Sequence, residues 1–293
     1  MLQDNQTNYH QPVMLTEVLS RLQPQPGQSY LDVTAGYGGH AEAIAKATAD
    51  VRAMTLVDRD EQAIAALQPL AKRGAHLIQS DFLTASQQLI GQGKQFDMIL
   101  ADLGVSSPHL DNAGRGFSFK QEAPLDMRMD TGQELTAATI VNSYKEADLA
   151  DVLWRFGQEP KARQIARMIV RGRPFKSTTE LAQVMARAWP GHSKVHPATR
   201  SFQAIRIVVN DELGQLEQSL PLWIDLLKPG GRLAVISFHS LEDRIVKRTF
   251  AEYALGYEAR IELASKKPIT ASAEDIVSNP RARSAKLRVA VKK

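Results

Sequence analysis

The chain has 293 residues, 43% of them hydrophobic and 23% charged. At roughly 100–200 residues per domain, that suits one large domain or two smaller ones around a full buried core. It contains no cysteine, which excludes disulfides, thiolate zinc sites and a cysteine nucleophile. The net charge of +4 is unevenly placed: residues 151–210 hold 11 Lys/Arg against 3 Asp/Glu, a surplus of +8 that leaves −4 for the remainder.

Two base-modifying chemistries fall with the missing thiol. Zinc deaminases need Cys beside their metal, and C5-methylation through a covalent cysteine adduct has no nucleophile here. The seven histidines show no HExxH-like spacing, so no metal site is expected. No apolar run approaches the ~18–20 residues of a membrane span. The polar start MLQDNQTNYHQPVM lacks a signal-peptide pattern, so the expectation is a cytoplasmic protein with no membrane partner. The basic segment, with six more basic residues in the closing RARSAKLRVAVKK, points to a polyanionic partner.

Four strand-like runs come first: Tyr30–Thr34, Ala53–Asp58, His76–Asp81 and Phe96–Asp102. Segments between them, such as HAEAIAKAT and EQAIAALQPLAKR, have helical apolar spacing. Val105–Asp130 reads as loop, rich in Gly, Ser, Pro and Asp. Thr136 to about Trp189 reads as helical, with breaks near Asn142, Gly157 and Pro174. A long periodic stretch, Thr199–Leu227, leads to a fifth strand at Arg232–Phe238, preceded by the turn KPGG. Ser240 and Asp243 then suggest a capping box for the next helix. Ala259–Ala264 and Lys286–Lys292 alternate as closing strands. This alternation predicts an α/β fold with a doubly wound, mainly parallel sheet. About 130 residues between strands four and five exceed what a crossover needs, so a helical subdomain is inserted there. The expected boundaries are 1–104 plus 211–293 for the sheet domain and 105–210 for the insertion.

The first strand runs into Asp32-Val-Thr-Ala-Gly36-Tyr-Gly38-Gly39-His40, and the second ends in Asp58, twenty-two residues after Gly36. Small residues at the carboxyl edge of such a sheet let backbone approach a nucleotide, and Asp58 is placed to accept ribose hydroxyls. Gly36, Gly38 and Ala41 also satisfy a dinucleotide fingerprint. The Asp32 carboxylate would repel a pyrophosphate but attract the ammonium and sulfonium of S-adenosylmethionine, which favours the latter over a nicotinamide cofactor. Phe82 follows the third strand, where it could pack on adenine. Asp102 ends the fourth beside Gly104-Val-Ser-Ser-Pro108.

The strings DLGVSSP (102–108), RGFSF (115–119), PLDMRMD (124–130), HPATRSFQAIRI (196–207), PGGRLAVISFHSLEDRIVKR (229–248) and NPRARS (279–284) resemble the bacterial 16S rRNA (cytosine-N4)-methyltransferase family, RsmH or MraW. The resemblance runs from about His10 to the C-terminus. It implies a class I S-adenosylmethionine-dependent methyltransferase, Rossmann-like with a helical insertion. The implied substrate is the exocyclic amine of a decoding-centre cytidine in 16S rRNA within the small ribosomal subunit; a homodimer remains open. Carried over by position, the implied cofactor contacts are Gly38, Gly39, His40, Asp58, Phe82 and Asp102, with a further one at His109 where the family usually has Gln. No catalytic base is assigned.

Other residues carry weaker readings. Phe117 and Phe119 sit in a polar loop and suit base stacking. Arg163, Arg167 and Arg171 share a helical face at i, i+4 spacing, which costs stability and invites phosphates. His239 reads equally as a core histidine, and Trp154, Trp189 and Trp223 read as core. Around Ser106–Pro108 and at the Asp126 carboxylate lie candidate acceptors for the hydrogens of an amine. An NAD-dependent oxidoreductase or a non-catalytic ribosome-assembly factor are the competing classes.

Overall fold

The computed structural model describes residues 12–105, 112–191 and 195–293. They form two compact units, 1–104 with 213–293 and 105–212. The first is built on strands β1 Tyr30–Asp32, β2 Met54–Asp58, β3 His76–Gln79, β4 Phe96–Asp102, β5 Leu227–Ser237, β6 Ile261–Leu263, β7 Ile269–Thr270 and β8 Lys286–Lys292. Its order is β3-β2-β1-β4-β5-β8-β6, with β7 also pairing β8. Strands β1 to β5 are parallel, and β8 runs antiparallel to β5, β6 and β7. The order reverses between β1 and β4, and ligands bind at such a switch point.

Period-two alternation decides which helices each strand holds. Leu31, Val57, Ile99, Ala101, Leu233 and Val235 face one apolar layer. That layer is closed by α5 (Phe82–Gly91), α11 (Glu212–Asp225) and α12 (Ser240–Tyr253). Tyr30, Met54, Leu56, Met98, Leu100, Ala234 and Ile236 face the other. It is covered by α1 (Leu15–Leu22), α2 (Gly39–Thr48), α3 (Glu61–Ala66) and α4 (Gln68–Lys72). The KPGG turn lies within β5 rather than before it: pairing slips between Phe96↔Leu227 and Met98↔Arg232, and Gly230 takes φ 78°. The extra residues form a bulge instead of ending the strand.

The second unit is helical: α6 Ala137–Ser143, α7 Glu146–Gly157, α8 Ala162–Gly172, α9 Thr178–Arg187 and α10 Thr199–Asn210. The stretch expected as one element from Thr199 is two helices, parted where Asp211 adopts φ 45°. Leu149, Leu153, Ile165, Ile169, Leu181 and Ile205 are fully buried in a core of their own. The loop 112–135 has little regular structure yet is pinned. Asn210 accepts from Met129 N at 2.8 Å and donates to Met127 O at 2.8 Å. Gly116 has φ 72°, and a Cβ there would lie 2.3 Å from Pro124 O.

The expected capping box moves by one residue. His239 is the N-cap of α12: its Nδ1 accepts from Glu242 N at 3.4 Å, while Glu242 Oε2 accepts from His239 N at 3.2 Å. His239 is thus a helix cap whose imidazole does the work of a Ser or Asp. Among the described residues no helix is long and apolar enough to cross a membrane.

Candidate active site

The glycine loop leaves β1 along its neighbours: Val33 N donates to Leu100 O and Ala35 N to Val57 O. It then turns sharply, with Gly36 at φ 51° and Gly38 at φ 83°. Gly38 is required twice over, since a Cβ there would also meet Leu67 Cδ2 at 3.0 Å. Gly38 caps α2 without a side chain, and among the described residues no side-chain oxygen answers the first N–H groups of that helix. Such an end suits a carboxylate or another anion. Asp58 fastens the turn to β2: Oδ2 accepts from Gly36 N at 2.8 Å and Oδ1 from Asp60 N at 2.9 Å.

Asp32 is 1% exposed and accepts from the Tyr30 hydroxyl at 2.7 Å and from Thr34 N at 3.2 Å. Burial pushes its carboxyl up to about 6, against the lowering effects of the Tyr30 hydrogen bond and His40. Burial and the neighbouring Asp32 raise the Tyr30 phenol as well. His40, on the first turn of α2, is buried and brings Nε2 to 3.6 Å from Asp102 Oδ2. Asp102 N donates to Thr34 Oγ1 at 2.6 Å. Among the described residues, both ring nitrogens of His40 and Oδ1 of Asp102 are buried without a hydrogen-bond partner. A buried polar atom left unanswered calls for an explanation, and a ligand's own donors and acceptors supply one at this strand edge. The cradle fits the methionyl end of S-adenosylmethionine: uncapped N–H groups for its carboxylate, carboxylates for its cationic groups.

Gly38, Gly39, His40, Asp58 and Asp102 therefore gather at the carboxyl edge of β1, β2 and β4. Phe82 differs from an open aromatic platform. It is 8% exposed, edge-on to Trp223 at 5.5 Å, with the Arg59 guanidinium 5.9 Å from its centroid. His109 and Ser106–Pro108 lie outside the described residues. The Tyr30–Asp32 and Thr34–Asp102 couplings escaped the motif reading. The first was open to it, because residues i and i+2 of a strand share a face.

In the helical unit, Arg163, Arg167 and Arg171 are exposed on α8. Phe117 is buried in the helical core, and Phe119 packs between Phe202 and His196 at 4.8 and 4.6 Å, so neither ring stands open to a base. Asp126 is the counter-ion of Arg128, which donates to Oδ1 through Nε at 2.9 Å and to Oδ2 through Nη2 at 2.8 Å. Burial would raise its carboxyl, but these charge-assisted bonds hold it below the usual range. Trp223 is core, donating from Nε1 to Ser86 Oγ; Trp189 is half-buried under Lys161; Trp154 is exposed.

A switch-point sheet with this order, a glycine turn and acidic strand ends on both sides of it define a class I methyltransferase. The profile of the MraW methylase family matches residues 7–293, and the chain belongs to that family. It is similar to the "Ribosomal RNA small subunit methyltransferase H" of Synechocystis sp., 49% identical over 97% of this chain and 93% of that one. The protein of the same name from Nostoc punctiforme is 50% identical over 97% and 94%, and that from Heliobacterium mobile 46% over 97% and 99%. Likeness to solved structures is distant: TrmN from Thermus thermophilus has a TM-score of 0.45 at 13% identity, over 96% of this chain and 48% of that one.

Proposed function

We propose that this protein methylates the N4 amine of a cytidine in 16S ribosomal RNA, with S-adenosylmethionine as donor. The observation that carries the cofactor assignment is the uncapped start of α2 beside orphaned polar atoms of His40 and Asp102. When bound, S-adenosylmethionine supplies an electrophilic methyl and departs as the thioether, while cytosine N4 forms the new C–N bond and releases a proton. Gly38 and Gly39 keep backbone close to the donor, Asp58 orients its ribose, and Asp32 and Asp102 offer negative charge to its cationic end. Phe82 borders the adenine from its buried position, and His109 adds a polar contact.

The N4 lone pair is delocalised into the ring, so alignment and acceptance of its hydrogens matter more than a strong base. The helical unit, with its +8 segment, holds the RNA. The substrate is the RNA of the small ribosomal subunit, so the reaction belongs to the cytoplasm. The absence of cysteine supports the amine as acceptor, because attack through C5 needs a thiolate adduct. Nucleoside mass spectrometry of small-subunit RNA treated with enzyme and S-adenosylmethionine should show N4-methylcytidine. A product that is 5-methylcytidine, or solely 2′-O-methylated, overturns the assignment.

A further inference from the structure

Trp154 sits on α7 with 61% of its surface exposed. The buried stripe of that helix is Leu149, Val152, Leu153 and Gly157, and Trp154 lies beyond its edge. A single exposed apolar residue is ordinary on a protein surface; what sets this one apart is its row. Glu146, Ala150 and Trp154 repeat at i, i+4 along α7, and Arg163, Arg167 and Arg171 do so along α8. The two helices are joined by residues 158–161 as an antiparallel hairpin.

Arg167 Nε meets Glu146 Oε1 at 3.4 Å, which sets the two rows side by side. At 1.5 Å rise per residue, Arg163 then stands level with Ala150, and Trp154 follows about 6 Å further along the hairpin. Ala150 is small and half-buried, so the row carries no bulky side chain between Glu146 and the indole. Among the described residues, Arg163 and Arg171 make no ion pair. Trp154 and the three arginines lie in the first part of the +8 segment, 151–210.

We propose that Trp154 and this arginine row form a stacking platform for an unpaired RNA strand, with one base on the indole, its neighbouring phosphate at Arg163 and a phosphate further along the same strand at Arg171. The proposal rests on the reading of the protein as an RNA methyltransferase and adds the kind of RNA the helical unit takes. A duplex hides its base faces, so only an unpaired base reaches the ring. Base–aromatic stacking tolerates any sequence, and a cationic surface tracking the backbone is its usual companion. Guanidinium groups without acidic partners are set to pair with phosphates.

The test compares Trp154→Ala, Trp154→Phe and the double variant Arg163→Gln/Arg171→Gln with the parent. Each is titrated with a short fluorescein-labelled single-stranded oligoribonucleotide at several salt concentrations, with S-adenosylmethionine affinity measured by calorimetry and fold by circular dichroism. Trp154→Ala should weaken RNA binding about tenfold or more without altering the salt slope, and Trp154→Phe should restore most of it. The arginine pair should flatten the slope, and cofactor affinity should stay at the parental level in all variants.

Indole fluorescence of the parent should be quenched by the oligoribonucleotide, and that component should vanish in Trp154→Ala. A folded Trp154→Ala that binds RNA as the parent does overturns the proposal. So does parental self-association in sedimentation that the substitution abolishes, because the ring is then covered by a second copy. Methyl transfer by the parent with a neutral Trp154→Ala removes this platform alone. Trp154-dependent RNA binding without methyl transfer to any RNA removes the enzymatic reading and leaves the platform standing.

Discussion

Nε2 of His40 lies 3.6 Å from Oδ2 of Asp102, and both ring nitrogens of that histidine are buried without a hydrogen bond among the described residues. A buried unsatisfied polar group costs about 1–3 kcal/mol, so this pair is held at the expense of stability until a ligand answers it. His40→Leu should therefore raise the thermal midpoint of the free protein by a few degrees. The same change should weaken S-adenosylmethionine about fivefold, at about 1 kcal/mol for a typical hydrogen bond. Scanning calorimetry and titration calorimetry read the two effects. A less stable variant with parental affinity would make His40 a core residue and nothing more.

Asp58 joins the cofactor turn to β2 through Gly36. Asp58→Asn keeps an oxygen able to accept one backbone N–H but removes the charge, and should weaken cofactor binding by ~1.5–3 kcal/mol. Asp58→Ala should lose at least as much and also lower the melting temperature, because the turn is no longer tied down. Equal affinities in the parent and Asp58→Asn would refute the ribose assignment.

Asp32 predicts a pH dependence of definite sign. Its folded-state pKa is raised to about 6 from the ordinary 3.8, chiefly by burial. Above about pH 6 the carboxylate is charged in both folded and unfolded chains, and the folded state bears a penalty of about 3 kcal/mol. That penalty is relieved as pH falls through about 6 and is gone by about 4. Asp32→Asn should therefore be more stable than the parent at pH 7, with the difference closing toward pH 4, while binding S-adenosylmethionine more weakly. Denaturant unfolding at the two pH values, parent against variant, isolates this group from Asp97 and Asp243. Both of those are lowered in spite of burial, by the hydrogen-bonded cations Lys228 and Arg288, and so push stability the other way.

Replacing Arg163, Arg167 and Arg171 together by Gln should lower RNA affinity and reduce the salt slope by up to about two, at about 0.7 per phosphate contact on single strands. Among the described residues only Arg167 gives up an ion pair, an exposed one to Glu146. Folding stability should accordingly change little, and cofactor affinity should not change. A parental salt slope would show the row to be a solvated face.

Much was readable because it follows from local periodicity. Short apolar runs separated by helical segments marked the five parallel strands, and closely spaced glycines marked the turn that follows β1, where Gly36 and Gly38 take left-handed backbone. The helical breaks at Asn142, Gly157 and Pro174 were equally visible, and so was the charge surplus of the insertion. What the chain alone did not reveal depends on contacts distant in sequence. Phe117 and Phe119 look free in a polar loop, but Asn210 and Phe202 fold that loop onto the helical core. Trp154 looks like core by composition, yet the buried stripe of its helix passes it by, since Leu153 and Gly157 already meet the neighbouring helices. The His239 cap displaced a more conventional Ser240: the helix begins at Ser240, so the residue three beyond the cap that closes the box is Glu242 and not Asp243. The orphaned atoms of His40 and Asp102 belong to no motif at all: whether a buried polar atom finds a partner is settled only once strands forty or more residues apart have come together.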